Sequence, residues 1–171
     1  MNDRALDAWL INERVTRIVV AGVSPQVWGM PVPGIPRKTI RNIAAHLHNS
    51  RCMWMKSLAV GSGIPIPERV DPKDVSIEQV CAALEISGVA TLKMIESGIN
   101  NGGRFPGVSG KFIFGAMPVD AALFADYAIA HEAHHRGQIL VVARMLGDPV
   151  PKEVIHRMWQ WSTHLRESKI K

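Results

Sequence analysis

The stretch Phe124–Leu146, FADYAIAHEAHHRGQILVVARML, joins a pair of metal-competent side chains to a long apolar helix pattern. His131 and His135 are four residues apart, and at about 100° per residue that spacing puts both imidazoles on one helix face, one turn apart. Phe124, Ala128, Gln138, Val142 and Leu146 fall within about 60° of His131 around the same helix, so the pair points along a mainly apolar stripe. A buried imidazole needs partners for both ring nitrogens. Two such rings stacked one turn apart are satisfied more cheaply by a shared cation than by two separate sets of hydrogen bonds. Two hydrogen-bonded core histidines would be the plainer arrangement.

Composition bounds the remainder. The chain has 171 residues with 47% hydrophobic content, enough for one sizeable core, and a single domain over 1–171 is expected. The surplus of Ala, Leu, Ile, Val and Met over Tyr and Phe, together with long 3.6-period segments, favours an all-α fold. No apolar run reaches the roughly 18 residues needed to cross a bilayer, and MNDRALDAWLINERV lacks the apolar core of a signal peptide, so a cytoplasmic protein without a membrane partner is expected. Cys52 and Cys81 match no CxxC and read as buried free thiols. The net charge of +5 comes from scattered basic residues with no aromatic interleaving, which argues against a nucleic-acid partner.

In chain order, a first helix is predicted from about Asp3 to Ala21, capped by Asn2 or Asp3, with Ala8, Ile11, Val15, Ile18 and Val19 as its stripe and Arg4, Asp7, Arg14 and Arg17 free to face water. VSPQVWGMPVPGIPRK, with four Pro and two Gly, then reads as a long loop, its Trp28 lidding one end of the core. A second helix follows Thr39 to about Val60, with Ile40, Ile43, Ala44, Leu47, Trp54 and Leu58 inward. His46 and His48 lie at opposite edges of that face, each about 100° from Leu47, and periodicity does not say which looks in. After a Pro/Gly-rich linker over 61–75, Ser76 and Gln79 form a capping box for a third helix with the stripe Ile77, Val80, Leu84, Gly88, Leu92, Ile95 and Ile99. Gly88 there permits a close helix contact. RFPGVSGKFIFGAM reads as an irregular loop in preference to a short hairpin. The fourth helix is predicted from about Pro118 to Gly147. Ala122, Ile129, Ala133 and Leu140 lie opposite its histidines, so that side should be covered by the final segment or by a second subunit, and a homodimer is expected. The final segment from about Lys152 carries Val154, Met158, Trp161 and Leu165 at helical spacing, with His156 and His164 as surface residues.

The His within AAHLHNSRCMW, the HEAHHRGQ element and the Pro-rich connections together resemble the DinB/YfiT-like superfamily, over most of the chain from the first helix through Gly147. The resemblance implies a four-helix bundle, here with long Pro/Gly-rich connections and an additional C-terminal helix, holding a divalent metal through three histidines. It implies His131 and His135 as fourth-helix ligands and His46 as the second-helix ligand, because the family places that His just before an apolar residue as in "AHL". Arg136, Gly137 and Gln138 match the family's run. Three neutral imidazoles leave a coordination position open, and zinc and nickel both suit imidazole. Members with known activities are thiol-dependent transferases and isomerases, which implies a low-molecular-weight thiol as co-substrate and an electrophilic small-molecule substrate. On that reading Gln138 and His134 orient the sulfur or a departing group, and Glu132 at the rim makes an ion pair or relays a proton.

Two other readings compete. His131-Glu132-Ala133-His134-His135 also spells HExxH, the zinc-peptidase motif with Glu as general base. The longer metzincin form would require Gly at 138 and His at 141, where the chain has Gln138 and Val141. A non-catalytic metal- or ligand-binding bundle is the third reading.

Overall fold

The computed structural model describes residues 4–169. Helix α1 spans Arg4–Ala21; the caps expected at Asn2 or Asp3 lie outside the described residues. Its buried face contains Trp9, Asn12, Thr16 and Val20 beside the expected Ile11, Val15 and Val19. Arg14 and Arg17 do not simply face water: Arg14 pairs with Glu167, and Arg17 pairs with Glu13 and Glu85.

The segment expected as a plain loop contains a short helix, α2 (Pro25–Trp28), capped by Ser24, and a hairpin of β1 (Pro31–Val32) with β2 (Ile35–Thr39). Val32 faces Ile35 in the antiparallel register, so the chain reverses over Pro33 and Gly34, and Gly34 supplies the positive φ of 77°. Trp28 is buried in the core, as expected of a lid, and its Nε1 donates to the Val75 carbonyl at 2.9 Å.

Helix α3 (Ile40–Leu58) starts at Thr39, whose hydroxyl accepts from the Asn42 amide while the Asn42 side chain accepts from the Thr39 amide. All six residues expected on its inner face are buried. The linker that follows is fastened by Asn49, which accepts from the Val70 amide and donates to the Val70 carbonyl, both at 3.0 Å. Ser76 and Gln79 form the expected capping box for α4 (Ile77–Asn100). Gly88 is needed there: a Cβ on it would stand 2.4 Å from Glu13 Cγ of α1.

Residues 104–117 are not an irregular loop. They carry a hairpin, β3 (Phe112–Ile113) against β4 (Met117–Pro118), reversing over Phe114 and Gly115, both at positive φ. Strands of two residues are too short to show alternation. Pro118 therefore belongs to a strand, and α5 opens later, at Ala121–Met145, because the Asp120 carboxylate caps it by accepting from the amides of Ala122 and Leu123.

The C-terminal segment is two helices, α6 (Lys152–Met158) and α7 (Trp161–Ser168). His164 is buried, not at the surface; its Nε2 donates to the Arg157 carbonyl at 2.7 Å, tying the second helix back across the break. His156 is exposed as expected. The chain is thus mostly helical with two small sheets, and among the described residues no helix is long and apolar enough to cross a membrane.

The four long helices pack α1 on α4 and α5, and α3 on α4 and α5. Their apolar side chains form two clusters, one around Trp28, Leu47, Leu84 and Ile139, the other around Trp9, Trp54, Met94 and Phe124. Between them, in sequence along each helix, lie Asn12 and Thr16, Arg51, Ser87, and Glu132 with Arg136. Glu132 is fully buried, which corrects the expected rim position. Arg51 Nε and Nη2 donate to its two oxygens at 2.7 and 2.9 Å, and Asn12 Nδ2 and the Thr16 hydroxyl each donate to Oε2 at 2.8 Å. Arg136 Nη1 donates to Asn12 Oδ1 and Thr16 Oγ1 at 2.6 and 2.7 Å, and Arg51 Nη1 reaches the Leu84 carbonyl of α4 at 2.8 Å.

Burial by itself would raise the Glu132 pKa; the Arg51 guanidinium, with these hydrogen bonds and Arg136, outweighs it and holds the carboxyl below its ordinary 4.5. A folded-state pKa below the unfolded one gives stability that is complete above about pH 4.5 and is lost as pH falls through the depressed value. Glu132→Ala strands two buried guanidinium groups and is expected to cost about 3–5 kcal/mol in urea unfolding at neutral pH, with a smaller deficit relative to wild type below pH 4.5. A cost under about 1 kcal/mol would match a surface ion pair instead.

Candidate metal centre

One turn of α5 and one position of α3 bring three imidazoles together. His46, His131 and His135 each offer a ring nitrogen, and these three atoms lie within 4.8 Å of one another. His46 Nε2 and His131 Nε2 are 3.4 Å apart. Two nitrogens bound at about 2.0–2.1 Å to one tetrahedral ion stand about 3.3 Å from each other, so the pair is spaced for a common cation. The ring centroids of His135 lie 4.5 Å from His131 and 4.6 Å from His46. Trp54 of α3 packs edge-on against His131 at 5.1 Å and against Phe124 at 5.6 Å, which fixes the floor of the cluster from the apolar side.

The hydrogen bonds around the rings suit ligands. His135 Nδ1 lies 3.0 Å from Gln138 Oε1, which can only accept; His135 therefore carries its proton on Nδ1 and leaves Nε2 with a free lone pair. His131 Nδ1 is buried with no hydrogen-bond partner, and its Nε2 faces only the His46 ring. The Ser50 hydroxyl touches the His46 ring, 3.2 Å from Nε2. His46 keeps an exposed edge while the other two rings are half-buried, so the cluster opens to solvent on the α3 side.

All three imidazoles are held neutral at physiological pH. Burial, then the charges of His135 and His46, lowers His131 from 6.5 to about 4. Burial, then His135, Lys38 and Arg69, lowers His46. Burial also lowers His135, against the Gln138 hydrogen bond that raises it. A neutral imidazole is the form that ligates a metal.

His48, the other candidate on α3, points elsewhere. Its Nε2 lies 2.8 Å from the Glu68 carbonyl and its Nδ1 3.1 Å from the Ser87 hydroxyl, so both nitrogens are engaged by protein. It fastens the linker to the helices. Cys52 Sγ lies 3.4 Å from His48 Nε2; Cys52 is buried, Cys81 half-buried, and both are free thiols.

Of the other expected site residues, Gln138 and His134 lie beside the cluster. The Gln138 amide donates from Nε2 to His134 Nε2 at 2.9 Å while its oxygen accepts from His135, and the Lys38 ammonium stands 3.5 Å from that same oxygen. Glu132 does not join them. Its oxygens are taken by Arg51, Asn12 and Thr16 on the far side of α5, so it cannot act as the general base that HExxH requires. Periodicity missed Lys38, because β2 was not visible as a strand, and missed Ser50, whose only sequence signal is its place four residues after His46 on α3.

Comparison with known proteins gives the family of the chain. Searches of curated proteins and of solved structures returned no match. The family model described as DinB family matches residues 1–164, a span that contains all three histidines, the Glu132 network and both hairpins. The chain belongs to the DinB family, the DinB/YfiT-like superfamily.

Proposed function

We propose that this chain is a metal-dependent enzyme that joins a low-molecular-weight thiol to an electrophilic small molecule, with His46, His131 and His135 as metal ligands and α1, α3, α4 and α5 as its four-helix bundle. The observation that carries the reading is the triad itself: three neutral imidazoles from two helices, with ring nitrogens within 4.8 Å of one another and the cluster open to solvent on one side. An open three-histidine set is the pattern of catalytic sites; closed structural sites use a fourth protein ligand. Zinc or nickel suits the donors. Such an ion, when bound, supplies positive charge that favours the thiolate over a thiol of ordinary pKa about 8.5.

The chain's own residues then position the reactants. Gln138 fixes the His135 ring through Nδ1. Because Gln138 also donates to His134 Nε2, the N–H of the exposed His134 ring is on Nδ1, a donor for the substrate or its leaving group. Glu132 takes no proton in this scheme; it holds α5 in rotation against α1 and α3. Cytoplasmic placement fits both the free cysteines and a reduced pool of small thiols.

Metal content tests the base of the reading. Wild type purified with zinc or nickel present is expected to hold about one ion per chain, His131→Ala to lose it, and His48→Ala to keep it; elemental analysis showing an empty wild type removes the enzyme assignment.

The reaction is tested with bacillithiol, mycothiol and glutathione against a chlorodinitrobenzene-type acceptor. Turnover with one thiol that stops on chelation and returns with metal supports it. Equal rates with and without metal eliminate it, and inactivity of loaded protein with every thiol shifts the assignment to a non-catalytic metal-binding bundle.

A homodimer is the third expectation. The C-terminal segment shares a small apolar cavity with Ile129, and Leu140 packs on the core, so that side of α5 is partly covered within the chain. Trp159 and Trp161 remain 73% and 52% exposed, and they are the surface on which a second copy would pack. Light scattering at micromolar concentration should give twice the chain mass, and Trp159→Ala with Trp161→Ala should give the monomer.

A further inference from the structure

Glycine inside a helix lowers helix stability and is retained where something requires the missing side chain. Two of the helical glycines have such a reason within the chain. A Cβ on Gly88 would collide with Glu13, and one on Gly98 would stand 2.7 Å from the Ala121 Cβ. Gly137, in the middle of α5, has none: a Cβ there would meet nothing within 4 Å. The space it leaves is the floor of a groove of about 370 Å³ that runs from Gln138 and His134 toward the β1–β2 hairpin.

The walls of that groove have a definite chemistry. Val32 and Ile35 of the hairpin and Val141 of α5 line it, and Ile35 and Val141 are each more than half exposed. At its triad end stands Lys38, whose ammonium reaches Gln138 Oε1 at 3.5 Å. Among the described residues no carboxylate pairs with Lys38, so its charge is open to a ligand in the groove. His134, which accepts from Gln138 at Nε2, adds an N–H donor on Nδ1 to the same lining. An apolar trough that ends in an unneutralised ammonium and a neutral donor is complementary to an amphiphilic anion.

We infer that the groove floored by Gly137 is the binding site of a small carboxylate with an alkyl or aryl body, its carboxylate on Lys38 and its body against Ile35 and Val141. Calling that ligand the electrophilic substrate rests on the proposed thiol transfer; the binding site itself does not.

The test uses the full chain stripped of metal by chelation, so that coordination of the carboxylate by an ion plays no part. Titration calorimetry with 4-phenylbutyrate and with its neutral amide is expected to show tighter binding of the acid, about fivefold for a half-exposed charge pair. Lys38→Met keeps the apolar stem and should bring the acid down to the affinity of the amide. Gly137→Leu should fold with an unchanged or raised Tm, because Leu is the better helix former, yet bind neither compound. Equal affinity for acid and amide in wild type, no binding of either, or undiminished binding by Gly137→Leu would each overturn the inference. Metal content measured on the same variants separates the two readings: Lys38→Met and Gly137→Leu are expected to hold the ion as wild type does, and an empty triad in wild type alongside normal acid binding would sink the enzyme assignment while leaving the groove in place.

Discussion

A carboxylate with no exposed surface must be ionised against strong partners or not ionised at all, and Glu132 is placed where only four helices acting together can supply those partners. Its donors come from α1 through Asn12 and Thr16 and from α3 through Arg51, and Arg51 in turn is anchored on α4 at the Leu84 carbonyl. Arg136 closes the network by donating to the two α1 side chains that already donate to Glu132. Apolar packing alone tolerates small rotations of a helix about its axis. This polar layer does not, because a shift of any one helix leaves a charge without its hydrogen bonds. Arg51 also stacks over Trp9, with Cζ 5.0 Å from the ring centre, so the polar layer continues directly into the lower apolar cluster.

The rotation of α5 matters because two i,i+4 pairs sit on it, offset by one residue. His131 and His135 face His46, while Glu132 and Arg136 face α1, about 100° away around the helix. One rotational setting has to serve both. The burial of Glu132 thereby fixes where the two imidazoles point, without any contact between the carboxylate and the open side of the triad. HExxH-like spelling arises here as a by-product of this division: the Glu between the histidines is structural, and its neighbours show why.

The histidine pair and the four long helices were legible because both depend on spacing and on chemistry within a few residues. Thr39 and Ser76 announced their helices through local capping chemistry, and His131 and His135 announced theirs by a four-residue step on an apolar stripe. Periodicity places Glu132 at the rim, where an acidic side chain off the apolar face normally lies. The contrary signal was present in α1, where Asn12 and Thr16 are themselves four apart on what is otherwise a buried face, and in Arg51 among the inward positions of α3. Polar residues recurring at helical spacing on three separate helices point to a shared buried network, but a single helix shows only a broken stripe. His46 against His48 was beyond periodicity, since each lies at an edge of the face; the outcome depends on where the linker carbonyl of Glu68 falls. His164 and the two hairpins depend likewise on partners distant in sequence or on strands too short to alternate.

The same burial that disfavours charge on the histidines prepares them as ligands. A protonated imidazole in this cluster would sit beside two others, half out of water, so proton loss is the cheaper state. What remains is three ring nitrogens that face one another with little competition from the protein: Gln138 has used its oxygen on His135 and its amide on His134, and the Ser50 hydroxyl touches only the His46 ring. His48 shows the alternative a few ångströms along the same helix: its two nitrogens find the Glu68 carbonyl and the Ser87 hydroxyl, and it needs nothing else. Two histidines two residues apart on α3 therefore divide the work, one closing the fold and the other leaving it open. The difference lies in what each ring meets, since side-chain type and helix are the same for both.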